Sequence, residues 1–233
     1  MKKVLSIATY RRFAVALASV AIIVISGVFS YNLYFTSSAY VDVDVNPSVE
    51  LALNRFDRVI GEYAYNHDGE AVLDAVNIRH RKYSDAIGIL IDAIVQSGLA
   101  HEESLISITL QTEDRERESG MLSVIESTVR HHHGTAEIFT FPVDGYTRSV
   151  AHGQNLSPAK YLAIQALIEV DPTATVEGCR HRSLGEIKQM TEQHAGNHKE
   201  DHSTGSGNRD ESSTNHDAHH GGGGGHGKGH GHD

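Results

Sequence analysis

The sequence is poor in the residues that build covalent or metal-bound frameworks. Its 233 residues include one cysteine, four prolines and no tryptophan, and aromatic residues make up only 6%. The single cysteine excludes an intramolecular disulfide framework and a cysteine-rich zinc site. Basic side chains are also few, since 20 lysines and arginines stand against 30 aspartates and glutamates. The resulting net charge of −10 argues against direct nucleic-acid binding.

One long uncharged run stands near the N-terminus. Residues 13–35 read FAVALASVAIIVISGVFSYNLYF, and these 23 residues are enough to cross a bilayer as a helix. The preceding residues 1–12 carry four cations and no acid, so the positive-inside rule predicts a short cytoplasmic tail and an extracytoplasmic remainder at the cell membrane. The alternative is a signal peptide cleaved after Ala39, but the run exceeds the usual apolar length of about 7–15 residues in such peptides.

Residues 36–190 carry the patterns of a mixed domain of the α+β class. Strict alternation in YVDVDV (40–45), followed by strand-like segments at 49–53 and 58–65 with short turns between them, predicts an antiparallel meander. The other predicted elements are helices over 83–98 and 113–130, strands over 105–110 and 136–141, a helix starting at Ser157-Pro158, and a short helix around 183–192.

The last segment, residues 191–233, holds nine of the 17 histidines and almost no large apolar residue. Such a composition cannot bury enough surface to offset its ordering entropy, so we predict that the segment is disordered. Its flexible glycine spacing would let several imidazoles reach one Ni²⁺, Zn²⁺ or Cu²⁺ ion. The candidate metal ligands are His216, His219, His220, His226, His230 and His232.

The pair Asn46-Pro47, in the first predicted turn, has specific chemistry available to it. An asparagine side-chain amide can attack its own main-chain carbonyl, close a succinimide and expel the nitrogen of the next residue. Pro47 has no N–H, which blocks the competing deamidation. A strained turn would hold Asn46 near its attack geometry, and the two strands would keep the fragments together. Without this chemistry, the pair is an ordinary turn in an interaction domain.

The surroundings of this pair resemble a known family. Residues 39–54, AYVDVDVNPSVELALN, stand just after the apolar run and resemble the juxtamembrane signature of the anti-sigma-I factor (RsgI) family. The resemblance continues in VIGEYAYNHDGEAVL (59–73) and in LSPAKYLAIQALIEVDPTATVE (156–177). It covers about residues 13–190, and the NPS element in its Val-Asp strand is its most specific part.

The resemblance implies a membrane-anchored signal-transduction protein, with a single-turnover self-cleavage in place of enzymatic turnover. Family members cleave themselves between the Asn and the Pro of this motif, and the two halves stay associated. Carried over, Asn46 supplies the attacking amide and the cleaved carbonyl, Pro47 supplies the leaving nitrogen, and Ser48 completes the motif. We interpret Asp44 as a solvent-exposed strand residue, with assistance to the attacking amide as its alternative role.

The resemblance also implies partners. In the family, an external signal separates the halves, an intramembrane protease acts next, and a sigma factor held by the cytoplasmic N-terminal domain is released. Residues 1–12 are too few for that sigma-binding domain. We therefore expect one of three explanations: the start codon is misplaced, the inhibitory domain is a separate chain, or this member has lost control of a sigma factor. The main alternative function is a membrane-tethered metal-binding or metal-sensing protein that uses the histidine-rich tail.

Overall fold

In the computed structural model, a long apolar helix leads into a mixed α/β domain. The structure describes residues 7–100, 104–134 and 136–201. In chain order the elements are α1 (Ile7–Phe35), β1 (Ser37–Asp44), β2 (Ser48–Asn54), β3 (Val59–Ala64), α2 (His67–Ala75), α3 (Tyr83–Gln96), β4 (Leu105–Thr112), α4 (Arg115–His132), β5 (Glu137–Pro142), α5 (Gly145–Gly153), α6 (Pro158–Val170), α7 (Val176–Cys179) and α8 (Leu184–Asp201).

Helix α1 is long and apolar enough to cross a membrane. The candidate span runs over Tyr10–Phe35, and none of its apolar window is buried against the rest of the protein. The end of α1 contacts the domain, because the Tyr34 carbonyl accepts a hydrogen bond from Nδ2 of Asn54 at 2.9 Å. Ala39, the alternative cleavage position, lies inside β1 and is fully buried, so cleavage there would remove the first residues of that strand.

The sheet has five strands in the order β3-β2-β1-β4-β5, with β1 at its centre. Strand β1 is antiparallel to both β2 and β4, and β2 is antiparallel to β3. Strand β5 is parallel to β4. The meander predicted for the first three strands is therefore confirmed, and so is the mixed α/β class of the domain.

One face of the sheet forms the main hydrophobic core. The valines of β1 alternate onto this face, and Val41 is paired with Leu51 on one side and with Leu110 on the other. Helices α3 and α4 cover the face with their apolar stripes. Each fully buried aliphatic side chain here contributes about 1.5–3 kcal/mol relative to an exposed one. Core members from the two helices are Ile87, Leu90, Ile91, Ile94, Met121, Ile125 and Val129.

The opposite face of the sheet is buried as well, and here the sequence interpretation of Asp44 was wrong. Asp42 is 1% exposed and Asp44 is fully buried. Helices α5 and α6 contact this face, so it is the interior of a second layer. Strict alternation shows which residues share a face, but it carries no information on whether a later part of the chain covers that face.

The helix start predicted at Ser157-Pro158 is confirmed. Ser157 caps α6 with its side chain, which accepts from the backbone nitrogen of Lys160, and Pro158 occupies the first turn. Gly98 follows the end of α3 with a φ of 74°, a left-handed conformation that glycine adopts without steric cost.

Other helices were not expected. Asn66, which directly follows the predicted strand 58–65, is the N-cap of α2, and its side chain accepts from the nitrogen of Gly69. Helices α5 and α7 also lay outside the predicted set. Helix α8 continues past residue 190, the predicted end of the folded part, to Asp201.

Candidate functional site

The loop between β1 and β2 contains the Asn46-Pro47 pair in an uncommon conformation. Asp44 and Ser48 form the last pair of the two strands, and the backbone nitrogen of Val45 donates to the Pro47 carbonyl at 2.9 Å. Asn46 has a φ of 78°. Asparagine tolerates this left-handed region better than most residues, but a following proline pushes its predecessor toward extended conformations. A residue in this conformation stores about 1–3 kcal/mol of strain. Here the strain lies next to the peptide bond between Asn46 and Pro47.

The side chain of Asn66 holds this loop from the neighbouring helix. Its Oδ1 accepts from the backbone nitrogens of Ser48 at 3.2 Å and of Gly69 at 2.9 Å. Two N–H donors require an acceptor, and this requirement sets the orientation of the Asn66 amide. Its Nδ2 therefore points toward the loop, where it donates to Oδ1 of Asn46 at 3.3 Å. The Asn46 side chain is thus positioned by a residue twenty positions away.

The close approach of α2 to this loop requires glycine at position 69. A Cβ atom on Gly69 would lie 2.7 Å from the carbonyl oxygen of Ser48. The same oxygen accepts a hydrogen bond from the nitrogen of Tyr65 at 3.0 Å. The start of α2 and the start of β2 are therefore in direct contact through their backbones.

Asp44 lies beneath the loop and binds two hydroxyl groups. Ser48 Oγ donates to its Oδ1 at 3.0 Å, and Ser157 Oγ donates to its Oδ2. Ser157 in turn accepts from the nitrogen of Lys160 at 3.2 Å. Asp44 therefore contacts the Asn46 loop through Ser48, and its carboxylate binds the hydroxyls of Ser48 and Ser157 rather than the Asn46 amide.

A second polar cluster lies under α5, next to the first. The guanidinium of Arg148 donates two hydrogen bonds to Glu50, at 2.6 and 2.8 Å. The Tyr65 hydroxyl lies 2.9 Å from Asp42 and 3.1 Å from Glu50, and Thr109 donates to Asp42 at 3.3 Å. Burial, and then the charge of Glu50, raise the pKa of Asp42 to about 8. Burial and the two carboxylates also raise the pKa of the Tyr65 hydroxyl.

This cluster joins the segments on either side of the Asn46-Pro47 pair. Asp42 lies in β1, before the pair, while Glu50, Tyr65 and Arg148 follow it in the chain. Arg148 also lies over the ring of Tyr40, 3.3 Å from its centroid, and Tyr40 belongs to β1. The two segments therefore share buried polar contacts in addition to their strand pairing.

Water can reach the loop from one side. Asn46 and Val45 border an open cavity of about 480 Å³ whose other lining residues include Glu137 and Glu186. Pro47 itself is buried. The loop thus combines a buried proline with a route for solvent to the asparagine.

Of the predicted site residues, Asn46, Pro47, Ser48 and Asp44 are brought together. The six candidate histidines of the tail lie outside the described residues. Within the described ranges, no group of three or more histidine, cysteine or acidic side chains is arranged to hold a metal ion.

The local sequence patterns predicted neither Asn66 as a site residue nor the contact between Ser157 and Asp44. A capping signal at Asn66 was present, because an asparagine precedes a segment with acidic residues in its first turn. Its contact with Asn46 had no local signal, since it depends on how α2 packs against β2.

A family model described as anti-sigma factor RsgI-like central domain matches residues 38–166. That is more than half of the chain. The chain belongs to the RsgI family. The match includes the Asn46-Pro47 loop, Asn66 and the five strands, except Ser37, the first residue of β1.

Two curated proteins that this chain resembles come from Acetivibrio thermocellus. Anti-sigma-I factor RsgI7 is 30% identical over 182 residues, which cover 74% of this chain and 33% of the relative. Anti-sigma-I factor RsgI5 is 23% identical over 155 residues, which cover 61% of this chain and 32% of the relative. The chain thus spans about a third of the length of these relatives.

Proposed function

We propose that this protein is a membrane-anchored regulator of the anti-sigma-factor type, whose outer domain cleaves itself between Asn46 and Pro47. The geometry of Asn46 is the main support for the cleavage proposal: its φ is 78° directly before a proline, and Asn66 donates a hydrogen bond to its side-chain oxygen. The family membership supports the regulatory role. Helix α1 is the proposed single membrane span, with the basic residues 1–12 in the cytoplasm.

The proposed cleavage of the peptide bond is intramolecular and balances without a co-reactant. The Nδ2 lone pair of Asn46 attacks the Asn46 carbonyl carbon and closes a succinimide ring. The bond from that carbon to the Pro47 nitrogen breaks, and the proton lost by Nδ2 is taken up by the Pro47 nitrogen, which becomes a free secondary amine. Water then opens the succinimide.

The contacts of Asn66 suit this reaction. A neutral amide nitrogen is a weak nucleophile, and it improves as it loses a proton and negative charge moves to the amide oxygen. The hydrogen bond from Asn66 Nδ2 ends on that oxygen of Asn46. A donor already aimed at developing charge lowers the barrier. Release of the strain at Asn46 adds to the driving force for cleavage.

The position of β1 explains how cleaved halves would stay associated and still transmit a signal. After cleavage, α1 and β1 form the anchored fragment, while β2 and β4 on either side of β1 belong to the other. The eight residues of β1 extend about 26 Å, so an external signal has to break two ladders before the fragments separate. Withdrawal of the outer fragment would leave the anchored one open to an intramembrane protease.

The downstream steps complete the proposal. The relatives named anti-sigma-I factors suggest a sigma factor as the regulated partner, held directly or through a separate anti-sigma subunit. The chain spans only about a third of the length of those relatives. Binding and release of a sigma factor are therefore part of the proposal and do not follow from the similarity.

A denaturing gel of the full chain tests the cleavage. The wild type should give fragments 1–46 and 47–233, and Asn46→Ala should stay intact. N-terminal sequencing of the larger fragment should begin at Pro47, and mass spectrometry of freshly cleaved protein should show a smaller fragment lighter by one water, the succinimide. Intact wild-type protein would reject the proposal, and fragments in both proteins would assign the cut to a contaminating protease.

A further inference from the structure

We propose that the membrane-proximal edge of the domain docks on anionic lipid headgroups around α1. The surface consists of five cations, Arg55, Arg58, Arg79, Arg81 and Lys82, named here the basic rim. All five are exposed. The inference rests on the proposed membrane anchoring by α1 and is independent of self-cleavage.

The basic rim lies at the level where α1 would leave the membrane. Arg55 borders a cavity of about 300 Å³ together with Phe29, Asn32 and Leu33 of α1. Phe29 precedes the end of the helix at Phe35 by six residues, which is about 9 Å along the axis. The Arg55 side chain therefore lies beside the last turns of the span, where a guanidinium reaches lipid phosphates while its stem contacts apolar surface.

Aromatic contacts hold the two loops of the basic rim against α1. The Tyr34 ring is stacked 6.5 Å from Phe56 and lies 5.7 Å from His80. The Tyr34 hydroxyl also hydrogen-bonds to Nδ1 of His80 at 2.9 Å. Phe56 remains 52% exposed, as expected of an aromatic residue in a membrane interface. These contacts place residues 54–58 and 77–82 beside the end of the helix.

The charges of these two loops favour an anionic partner. Their sequences, NRFDR and NIRHRK, contain one acid, Asp57, which pairs with Arg117 at 2.5 Å. Glu62 lies 3.6 Å from Arg79 and offsets part of one charge. Arg58 and Arg81 donate to backbone carbonyls, which leaves their positive charges unneutralised. Each cation near an anionic membrane strengthens binding about fivefold.

The acidic segment EDRERE (113–118) at the start of α4 lies next to the basic rim, because Arg117 of this segment pairs with Asp57. The segment has four acids and two arginines, so its net charge of −2 is smaller than the charge of +5 on the five cations of the basic rim. The membrane-proximal edge therefore keeps an excess of positive charge toward anionic lipid.

The absence of tryptophan allows a direct test on the full chain. Phe56→Trp, combined with Asn46→Ala to keep the chain intact, introduces one indole at the basic rim. The matched control is Phe139→Trp in the same background, because Phe139 is 41% exposed and lies in β5 at the membrane-distal half of the sheet. Both proteins are reconstituted in vesicles of phosphatidylcholine, with or without phosphatidylglycerol, that carry a headgroup nitroxide quencher.

The tryptophan fluorescence of Phe56→Trp should be quenched more strongly in the anionic vesicles than in the neutral ones. That of Phe139→Trp should be quenched weakly in both. The excess should vanish at about 1 M salt, where the screening length falls to about 3 Å. The docking equilibrium should weaken by at least tenfold with Arg79→Glu/Arg81→Glu. It should be unchanged with Arg130→Glu/Arg182→Glu, a control pair of exposed cations elsewhere in the domain.

Two results would overturn the inference in distinguishable ways. Equal quenching in neutral and anionic vesicles, or quenching unaffected by the Arg79→Glu/Arg81→Glu reversal, would reject lipid docking while the membrane anchor stands. Extraction of the chain from the vesicles by alkaline carbonate would reject both the anchor and the docking. Neither result bears on cleavage at Asn46, which is read on a separate gel.

Discussion

Replacement of Asn66 by aspartate separates the hydrogen bond to Asn46 from the support of the fold. The new carboxylate would still accept from the nitrogens of Ser48 and Gly69, so the cap of α2 and the start of β2 would keep their contacts. It could not donate to Oδ1 of Asn46, which now receives the Asn66 amide at 3.3 Å. The variant therefore removes one interaction of the proposed reaction and retains the others.

The expected effect on cleavage is large and the effect on stability is small. Loss of one donor to developing negative charge slows acyl-transfer reactions by about 100- to 1,000-fold. The 3.3 Å bond is long, so its own share is smaller, but a new negative charge on Asn66→Asp adds repulsion. We expect cleavage to be about 100-fold slower. Asparagine and aspartate are nearly equal as helix caps, so the free energy of unfolding should change by less than about 0.5 kcal/mol.

Pulse-labelled chain from cell-free synthesis gives the cleavage rate on a denaturing gel, and urea unfolding gives the stability. Asn54→Asp is a matched control, because Asn54 also accepts from two backbone nitrogens and donates to a carbonyl, at the other end of β2. The control should cleave at the wild-type rate. Wild-type cleavage by Asn66→Asp with unchanged stability would refute the role given to Asn66, whereas an uncleaved wild type would refute the cleavage itself.

Three further predictions concern the surroundings of the loop. Gly69→Ala should lower stability by about 1–3 kcal/mol in urea unfolding, because its Cβ would lie 2.7 Å from a backbone oxygen, whereas Gly120→Ala, in open space within α4, should raise it by about 0.5–1 kcal/mol. Because the pKa of Asp42 is raised to about 8, the folded state holds a proton that the unfolded state loses, and the free energy of unfolding should fall by about 1.4 kcal/mol per pH unit between about pH 4 and 8. Asp42→Asn should flatten this decline, and an unchanged slope in the variant would show that another group causes the pH dependence. Arg148→Ala should cost about 3–5 kcal/mol, because it leaves the carboxylate of Glu50 buried and unpaired, and a loss below about 1 kcal/mol would contradict that.

Local patterns predicted much of the fold. The apolar run, the alternation in β1 and the Ser157-Pro158 helix start all depend on neighbours within a few residues, and each is found in the structure. Helix α2 was not predicted, because residues 66–69 have the composition of a turn. The same residue types also cap a helix, as Asn66 does here, so composition alone does not separate the two.

The candidate site divides in the same way. The sequence by itself determined which bond has the chemistry for cleavage, because a side-chain amide and a proline without an N–H are properties of Asn46 and Pro47 alone. Only the tertiary structure decided what surrounds that bond: the donor on Asn66, the buried carboxylate of Asp44 and its hydroxyl partner on Ser157. These contacts join elements up to 113 positions apart, and they arise from the packing of α2 and α6 against the sheet. Covalent chemistry is encoded residue by residue, whereas burial and orientation depend on which distant segments cover each face.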